Sequence, residues 1–198
     1  MALAKSRCSN EAGFSLIEVL AAMVILSVSL VSLAQLFALS TRSNFTSRTN
    51  TYAALLAQQK MEQLRGLTWG YDILGLPVSD FTTDTAASEA ISGCTASSGG
   101  AATGLSPSPW GTLQQNSAGW VDYVDENGCI LGGGATAPAR TRFIRRWSVE
   151  PLPSNPNNTV ILQVLVTRRT DRGDADSGNV ARMNDEARLM SVKTRKTK

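Results

Sequence analysis

A long apolar run near the N-terminus dominates the hydropathy pattern of this 198-residue chain. No residue between Val19 and Leu39 is charged, and these 21 positions are enough to cross the hydrocarbon core of a bilayer as a helix. One acid, Glu18, comes directly before the run, where an ionisable side chain is costly and usually functional. The pattern predicts a helix that lies in lipid or among other apolar helices, with one acid near its start.

The same helix is predicted to continue over residues 14–67 with a different character. Neither Pro nor Gly interrupts residues 14–65, and Gly66 provides a plausible end. After Ser40 the sequence becomes amphipathic, and Lys60 and Glu62 are interpreted as solvated charges on its polar side. The apolar stripe recurs every three or four residues and comprises Ala53, Ala57, Met61, Leu64 and Leu67, flanked by Leu55 and Leu56.

The rest of the chain predicts a loop-rich segment followed by strands. Residues 68–119 are rich in Gly, Ser, Thr, Ala and Pro and are expected to form one long connection with little periodicity. Short alternating segments separated by turn residues then predict four strands, at 120–124, 142–149, 159–167 and 187–194. Successive strands with short turns favour an antiparallel meander, and a helix followed by such a sheet gives the α+β class.

The junction between the leader and the helix carries a family resemblance. Gly13-Phe14-Ser15-Leu16-Ile17-Glu18, followed by the apolar run, resembles the signal of type IV prepilins and of type II secretion pseudopilins. A plain signal anchor would account for the run, but not for the acid or for the Gly-Phe junction. The resemblance implies the type IV pilin fold, in which a long N-terminal helix packs on a small antiparallel sheet. It also implies cleavage by a prepilin peptidase between Gly13 and Phe14, with N-methylation of Phe14.

On this resemblance the chain divides into four segments with different environments. They are the leader at 1–13, the transmembrane or filament-core helix at 14–40, the amphipathic half of that helix at 41–67, and an extracytoplasmic globular domain at 68–198. The resemblance places the leader in the cytoplasm and the globular domain in the periplasm. It implies a single-pass inner-membrane protein that later joins a pilus at the cell surface, with other major and minor pilins as partners.

Glu18 has two interpretations. An acid one turn from a new N-terminus can hydrogen-bond locally or pair with the amine of its own chain. The family resemblance implies instead that Glu18 neutralises the Phe14 amine of an adjacent subunit during filament entry. A charge packed among apolar helices is costly unless it is paired, which favours the intersubunit pair.

The cysteines predict one crosslink outside the cytoplasm. Cys8 falls in the leader and would be removed with it, which leaves Cys94 and Cys129. Disulfides persist in the oxidising compartment that the resemblance implies, and loop-forming residues surround both positions. A disulfide is therefore favoured, with two free buried thiols as the alternative.

Composition argues against an enzyme and against a nucleic-acid partner. The chain has no histidine, which excludes Ser-His-Asp catalysis, Cys-His catalysis and His-ligated zinc, and no cofactor is expected. The net charge of +3 is mild. The arginines dense along two strands could form a basic face for DNA, but no aromatic residue beyond Trp147 is interleaved for base stacking, so they are interpreted as solvated strand faces and edge protection. These arginines are Arg140, Arg142, Arg145, Arg146, Arg168 and Arg169.

An acidic, Gly-rich stretch between the last two strands is a candidate calcium-binding loop. Asp171, Asp174 and Asp176 supply oxygen ligands, but their spacing is not that of an EF-hand and no bidentate Glu follows at position twelve. A solvated turn is the default interpretation.

Further stretches bear on the kind of subunit. The helix end at 57–65 resembles both the PilV-like pilus modification proteins and the minor pseudopilin I group, whereas residues 123–128, 145–149 and 187–196 resemble the PilV-like group better. The expected function is that of a minor type IV pilin, in pilus assembly or priming, with adhesion or motility as consequences. A minor pseudopilin of a type II secretion system is the alternative. An anchored extracytoplasmic enzyme is disfavoured, because nucleophile-elbow and phosphate-loop motifs are absent.

Overall fold

The structure is a computed structural model that describes residues 13–169 and 186–195. The chain separates into two compact units, Met1–Phe45 and Thr46–Lys198. One helix, α1 (Leu16–Gly66), supplies the described secondary structure of the first unit and the start of the second. The continuous helix predicted over 14–67 is confirmed, and it begins at Leu16, since the carbonyl of the preceding Ser15 accepts its first backbone hydrogen bonds.

In the first unit α1 is apolar on all sides, and its large side chains are exposed from Phe14 to Leu39. Three serines of the apolar run have hydroxyl groups that are satisfied within the helix. Ser27, Ser29 and Ser32 each donate to the carbonyl four residues earlier, at 2.7–2.9 Å. Such bonds let serine lie in an apolar medium without an unpaired polar group. Within the described residues α1 alone is long and apolar enough to cross a membrane, on length and composition.

The second unit is built on a five-stranded antiparallel sheet with strand order β4-β3-β5-β6-β7. A separate hairpin of β1 and β2 precedes it. The strands are β1 (Trp69–Tyr71), β2 (Pro77–Ser79), β3 (Val121–Val124), β4 (Ile130–Gly133), β5 (Phe143–Pro151), β6 (Thr159–Arg168) and β7 (Glu186–Thr194). The four predicted strands correspond to β3, β5, β6 and β7, and they are antiparallel neighbours in chain order.

Two features of the sheet region differ from the sequence expectation. The 68–119 connection contains the β1–β2 hairpin, and β4 was not predicted. Strands of three or four residues are too short to show alternation, and β4 is half glycine. The turn between β1 and β2 is held by Asp72, whose carboxylate accepts the amide N–H groups of Leu74 and Leu76 at 2.9 and 2.8 Å.

The hydrophobic core lies between the second half of α1 and the inner face of the sheet. The helix contributes most of the predicted stripe, except that Leu67 is only partly buried. The buried helix residues in this core are Ala53, Leu56, Ala57, Met61 and Leu64, and the strand residues are Val124, Phe143, Trp147, Val149, Val160, Leu162, Val164 and Val166. This arrangement is an α+β fold consistent with the type IV pilin fold.

The hairpin is fixed to the end of β7 by one arginine. Arg195 lies 3.9 Å from the Trp69 ring centre and donates to the carbonyls of Gly70 and Val78 at 2.8 and 2.7 Å. Because it satisfies backbone acceptors of both short strands, Arg195 makes the hairpin an ordered extension of the sheet.

Candidate functional site

The Gly13–Phe14 junction lies in extended chain just before α1. Phe14 is strongly exposed, and a side chain added at Gly13 would meet no described atom within 4 Å. The described fold therefore does not require glycine at this position. A requirement for glycine would have to come from a protein that acts on the junction.

Glu18 lies in the first turn of α1. Its amide and that of Val19 donate to the Ser15 carbonyl at 3.0 and 3.2 Å, which closes the first turn. The carboxylate is exposed, and within residues 13–169 and 186–195 it makes no ion pair. A negative charge near a helix N-terminus is favourable by about 0.3–1 kcal/mol in water. That gain is small beside the cost of burying an unpaired carboxylate among apolar helices.

A second charged cluster lies in the interior, between α1 and the sheet. It consists of Lys60 from α1, Asp122 from β3 and Arg145 from β5. Arg145 donates to both oxygens of Asp122, from Nε at 2.8 Å and from Nη2 at 2.9 Å. The Lys60 ammonium lies 2.7 Å from Asp122 Oδ2. Antiparallel pairing places Asp122 opposite Arg145, so the fork is set by strand register.

Further bonds complete this cluster. Lys60 Nζ donates to the Thr85 carbonyl and to Gln63 Oε1, and it lies 4.0 Å from the Trp147 ring centre. The Nη1 group of Arg145 donates to the Leu56 carbonyl at 3.2 Å. These bonds tie the helix backbone and a loop to the sheet.

The interpretation of Lys60 and Arg145 as solvated charges was wrong. Their exposed side-chain fractions are 0% and 1%. Lys60 follows Ala57 by three residues and precedes Leu64 by four, so it lies on the buried stripe itself. That spacing was the available signal, but it does not reveal that Asp122 faces the same position.

Burial and pairing shift the titration of the two partners in this cluster. Removal from water lowers the pKa of Lys60 to about 8, against the opposing effect of Asp122. Burial alone would raise the pKa of Asp122, but the charges of Arg145 and Lys60 and their hydrogen bonds hold it below its usual value. Because the cluster is enclosed, it can anchor the helix but cannot reach a substrate.

Comparison with known proteins bears on the N-terminal site. A family model described as the prokaryotic N-terminal methylation motif matches residues 8–34, which include Gly13, Phe14 and Glu18. This motif indicates a prepilin of the type IV pilin or pseudopilin kind. It implies processing by a prepilin peptidase and association with other pilins, and its family is structural rather than enzymatic. No curated protein and no solved structure matches the chain significantly.

The cysteine pair lies in the second unit. Cys94 and Cys129 are joined in the structure, with sulfur atoms 2.03 Å apart and Cα atoms 5.4 Å apart. The bond connects the long segment before β3 to the turn between β3 and β4. That turn is ordered by Asp125, which accepts the amides of Asn127 and Cys129 at 2.9 Å. Pairing of the two cysteines in the cell stays a prediction.

The other charged candidates are dispersed. Arg140 is exposed and pairs with Asp125 at 3.2 Å, and Arg146 donates to Asn116 at 2.9 Å. The acidic stretch with Asp171, Asp174 and Asp176 lies outside the described residues.

Proposed function

We propose that this prepilin-like chain is a minor pilin of a type IV pilus, of the PilV-like pilus modification group. In this proposal the peptidase cleaves after Gly13, and the mature subunit is held in the inner membrane by its N-terminal helix, with its globular domain in the periplasm. It then enters the base of a growing filament, where it primes assembly and supports adhesion or motility. Other major and minor pilins are its partners, and no nucleic acid is expected.

The apolar, exposed start of α1 is the observation that carries the proposal. The large side chains from Phe14 to Leu39 are all exposed in the isolated chain. An apolar surface of this size does not remain in water, and helices with satisfied backbone groups suit lipid. Other pilin helices offer an equivalent apolar environment. The segment can therefore pass from membrane to filament without changing its structure.

Glu18 gives that transfer its specificity. Each mature copy would carry one carboxylate at Glu18 and one amine at Phe14. In an apolar bundle both charges need partners, because removing one member of a buried pair costs about 3–5 kcal/mol. A neighbouring copy supplies the complementary charge, so we infer that only a correctly placed neighbour lets the subunit leave the membrane.

The test exchanges Glu18 while leaving the junction intact. Glu18→Ala and Glu18→Gln should be inserted and processed normally but absent from sheared pili, whereas Glu18→Asp should retain partial incorporation. The matched control is Glu62→Gln on the same helix, because Glu62 is 71% exposed and pairs only with exposed Arg65 among described residues. The measurements are pilus fractions, co-purification with other pilins, and the N-terminal mass of each variant.

Two results would count against the proposal. Wild-type incorporation of Glu18→Gln would show that the acid has only a local role. Normal piliation of a strain lacking the protein, together with loss of type II secretion, would instead favour a minor pseudopilin.

A further inference from the structure

One tryptophan is presented to solvent on an ordered loop. Trp110 is 97% exposed, whereas Trp147 is fully buried and tryptophans are usually well covered. The loop is fastened to β5 at Ser108, and a local turn follows at Pro109. Ser108 donates its amide N–H to the Val149 carbonyl at 2.9 Å, and Thr112 donates its hydroxyl to the Pro109 carbonyl at 2.5 Å. These bonds order the backbone that carries the exposed indole.

Trp110 forms one wall of a groove of about 460 Å³ against the outer face of the sheet. Polar side chains from three adjacent strands line the groove: Ser148 and Glu150 of β5, Gln163 of β6 and Arg188 of β7. Hydrogen bonds join these four side chains into one row. Ser148 and Gln163 donate to Glu150 Oε1 at 3.1 and 3.4 Å, and Arg188 donates to Gln163 Oε1.

The chemistry of this lining selects a neutral ligand rich in hydroxyl groups. The single carboxylate and the single guanidinium cancel, so neither an anion nor a cation is favoured by net charge. The second oxygen of Glu150 is an acceptor, and the guanidinium of Arg188 carries five N–H groups of which Gln163 takes one. Hydroxyl groups can satisfy donors and acceptors at once. The indole offers a flat apolar surface beside them.

We propose that this groove binds a neutral saccharide. A sugar ring has hydroxyl groups around its edge and an apolar C–H face, which matches the polar row and the Trp110 ring respectively. The groove volume is within the range of small-molecule sites and accommodates one or two sugar rings. The proposal does not depend on whether the chain serves a pilus or a secretion system.

The test uses the full chain in a zwitterionic detergent, since glycoside detergents would compete. A printed array of neutral hexose and N-acetylhexosamine oligosaccharides is probed first, and the best oligosaccharide is then titrated by isothermal calorimetry, which needs no tryptophan signal. Stacking covers roughly 75 Å² of indole, so Trp110→Ala should weaken binding roughly 20-fold. Because Trp110 is almost fully exposed, the variant should fold normally, which near-ultraviolet circular dichroism checks.

Two further variants distinguish binding in the groove from a nonspecific effect of removing an exposed apolar side chain. Gln163→Leu keeps the volume but removes the centre of the polar row, and should weaken binding about tenfold. Leu74→Ala truncates another strongly exposed apolar side chain, on the β1–β2 turn and outside the groove lining, and should bind like wild type.

The proposal is overturned if wild type binds none of the array saccharides, or binds them no better than Trp110→Ala. Loss of pilin co-purification by Trp110→Ala without saccharide binding would also overturn it. That result would make the groove a contact between subunits.

Discussion

The buried Lys60–Asp122–Arg145 cluster makes a sharp stability prediction. In this cluster two cations share one anion, and all three side chains are removed from water. Asp122→Asn keeps the shape of the side chain but removes the negative charge. Lys60 and Arg145 would then face each other without an anion in contact, and Lys60 must either stay charged beside Arg145 or give up its proton, so we expect severe destabilisation of the second unit.

The magnitude follows from the contacts that are lost. Asp122 accepts two bonds from Arg145 and one from Lys60, at 2.7–2.9 Å. Breaking a buried ion pair by removing one partner costs about 3–5 kcal/mol. A domain's whole stability is about 5–15 kcal/mol. For a domain of this size such a loss lowers the melting temperature by roughly 10 °C.

Lys60→Met is the matched control, since methionine has a similar length and no charge. It leaves Asp122 and Arg145 as a neutral bidentate pair. The change removes donors from the Thr85 carbonyl and from Gln63, which costs about 1–2 kcal/mol, and it also removes a desolvated cation. The order of stability should be wild type, then Lys60→Met, then Asp122→Asn with a clear gap.

The assay is urea unfolding of the full chain in zwitterionic detergent, followed by near-ultraviolet circular dichroism. Trp147 lies beneath Lys60 and reports on the packing between helix and sheet. If Asp122→Asn unfolds at the same urea concentration as Lys60→Met, the unpaired-cation reasoning is refuted.

Three further predictions concern titration, processing and crosslinking. Between pH 8 and 10.5 folded Lys60 loses its proton before an unfolded lysine does, because burial lowers its pKa to about 8. The free energy of unfolding of wild type, compared with that of Lys60→Met, should therefore rise by about 3 kcal/mol over this range. Equal pH profiles of the two proteins in the same urea assay would refute this. Gly13→Leu should fold, because the described chain leaves room for the side chain, but should remain a full-length membrane precursor, because the peptidase is expected to require glycine; a mature N-terminus at Phe14 in this variant, by mass spectrometry, would contradict the glycine requirement. Replacing Cys94 and Cys129 by serine should lower stability by about 3–4 kcal/mol for a sequence separation of 35, and non-reducing mass mapping that finds both thiols free would exclude the disulfide.

Local patterns predicted most of the fold. The uninterrupted run of helix formers located α1 to within two residues at its start, and alternation located β5, β6 and β7. These signals depend on a residue and its near neighbours along one element. The Gly13–Glu18 motif is also local, because its glycine, aromatic residue and acid lie within six consecutive positions.

Features that depend on distant residues could not be predicted in this way. A lysine on a helix normally lies at the surface. Lys60 can be buried because Asp122, which also pairs with Arg145, supplies a counter-charge from more than 60 residues later in the chain. The groove beside Trp110 requires a loop and three strands to meet. A single sequence shows which residues are available, but not which of them face one another.

The two exceptional charges of α1 obey the same physical rule with different partners. Lys60 interrupts a buried stripe and is neutralised within the chain by Asp122, so its role is complete when the domain folds. Glu18 borders an apolar segment, and within the described residues it has no cationic partner. Substitution at Asp122 should therefore lower the urea concentration at which the purified protein unfolds. Substitution at Glu18 should leave the stability of the purified protein unchanged and should impair only the assembly of the subunit with other pilins.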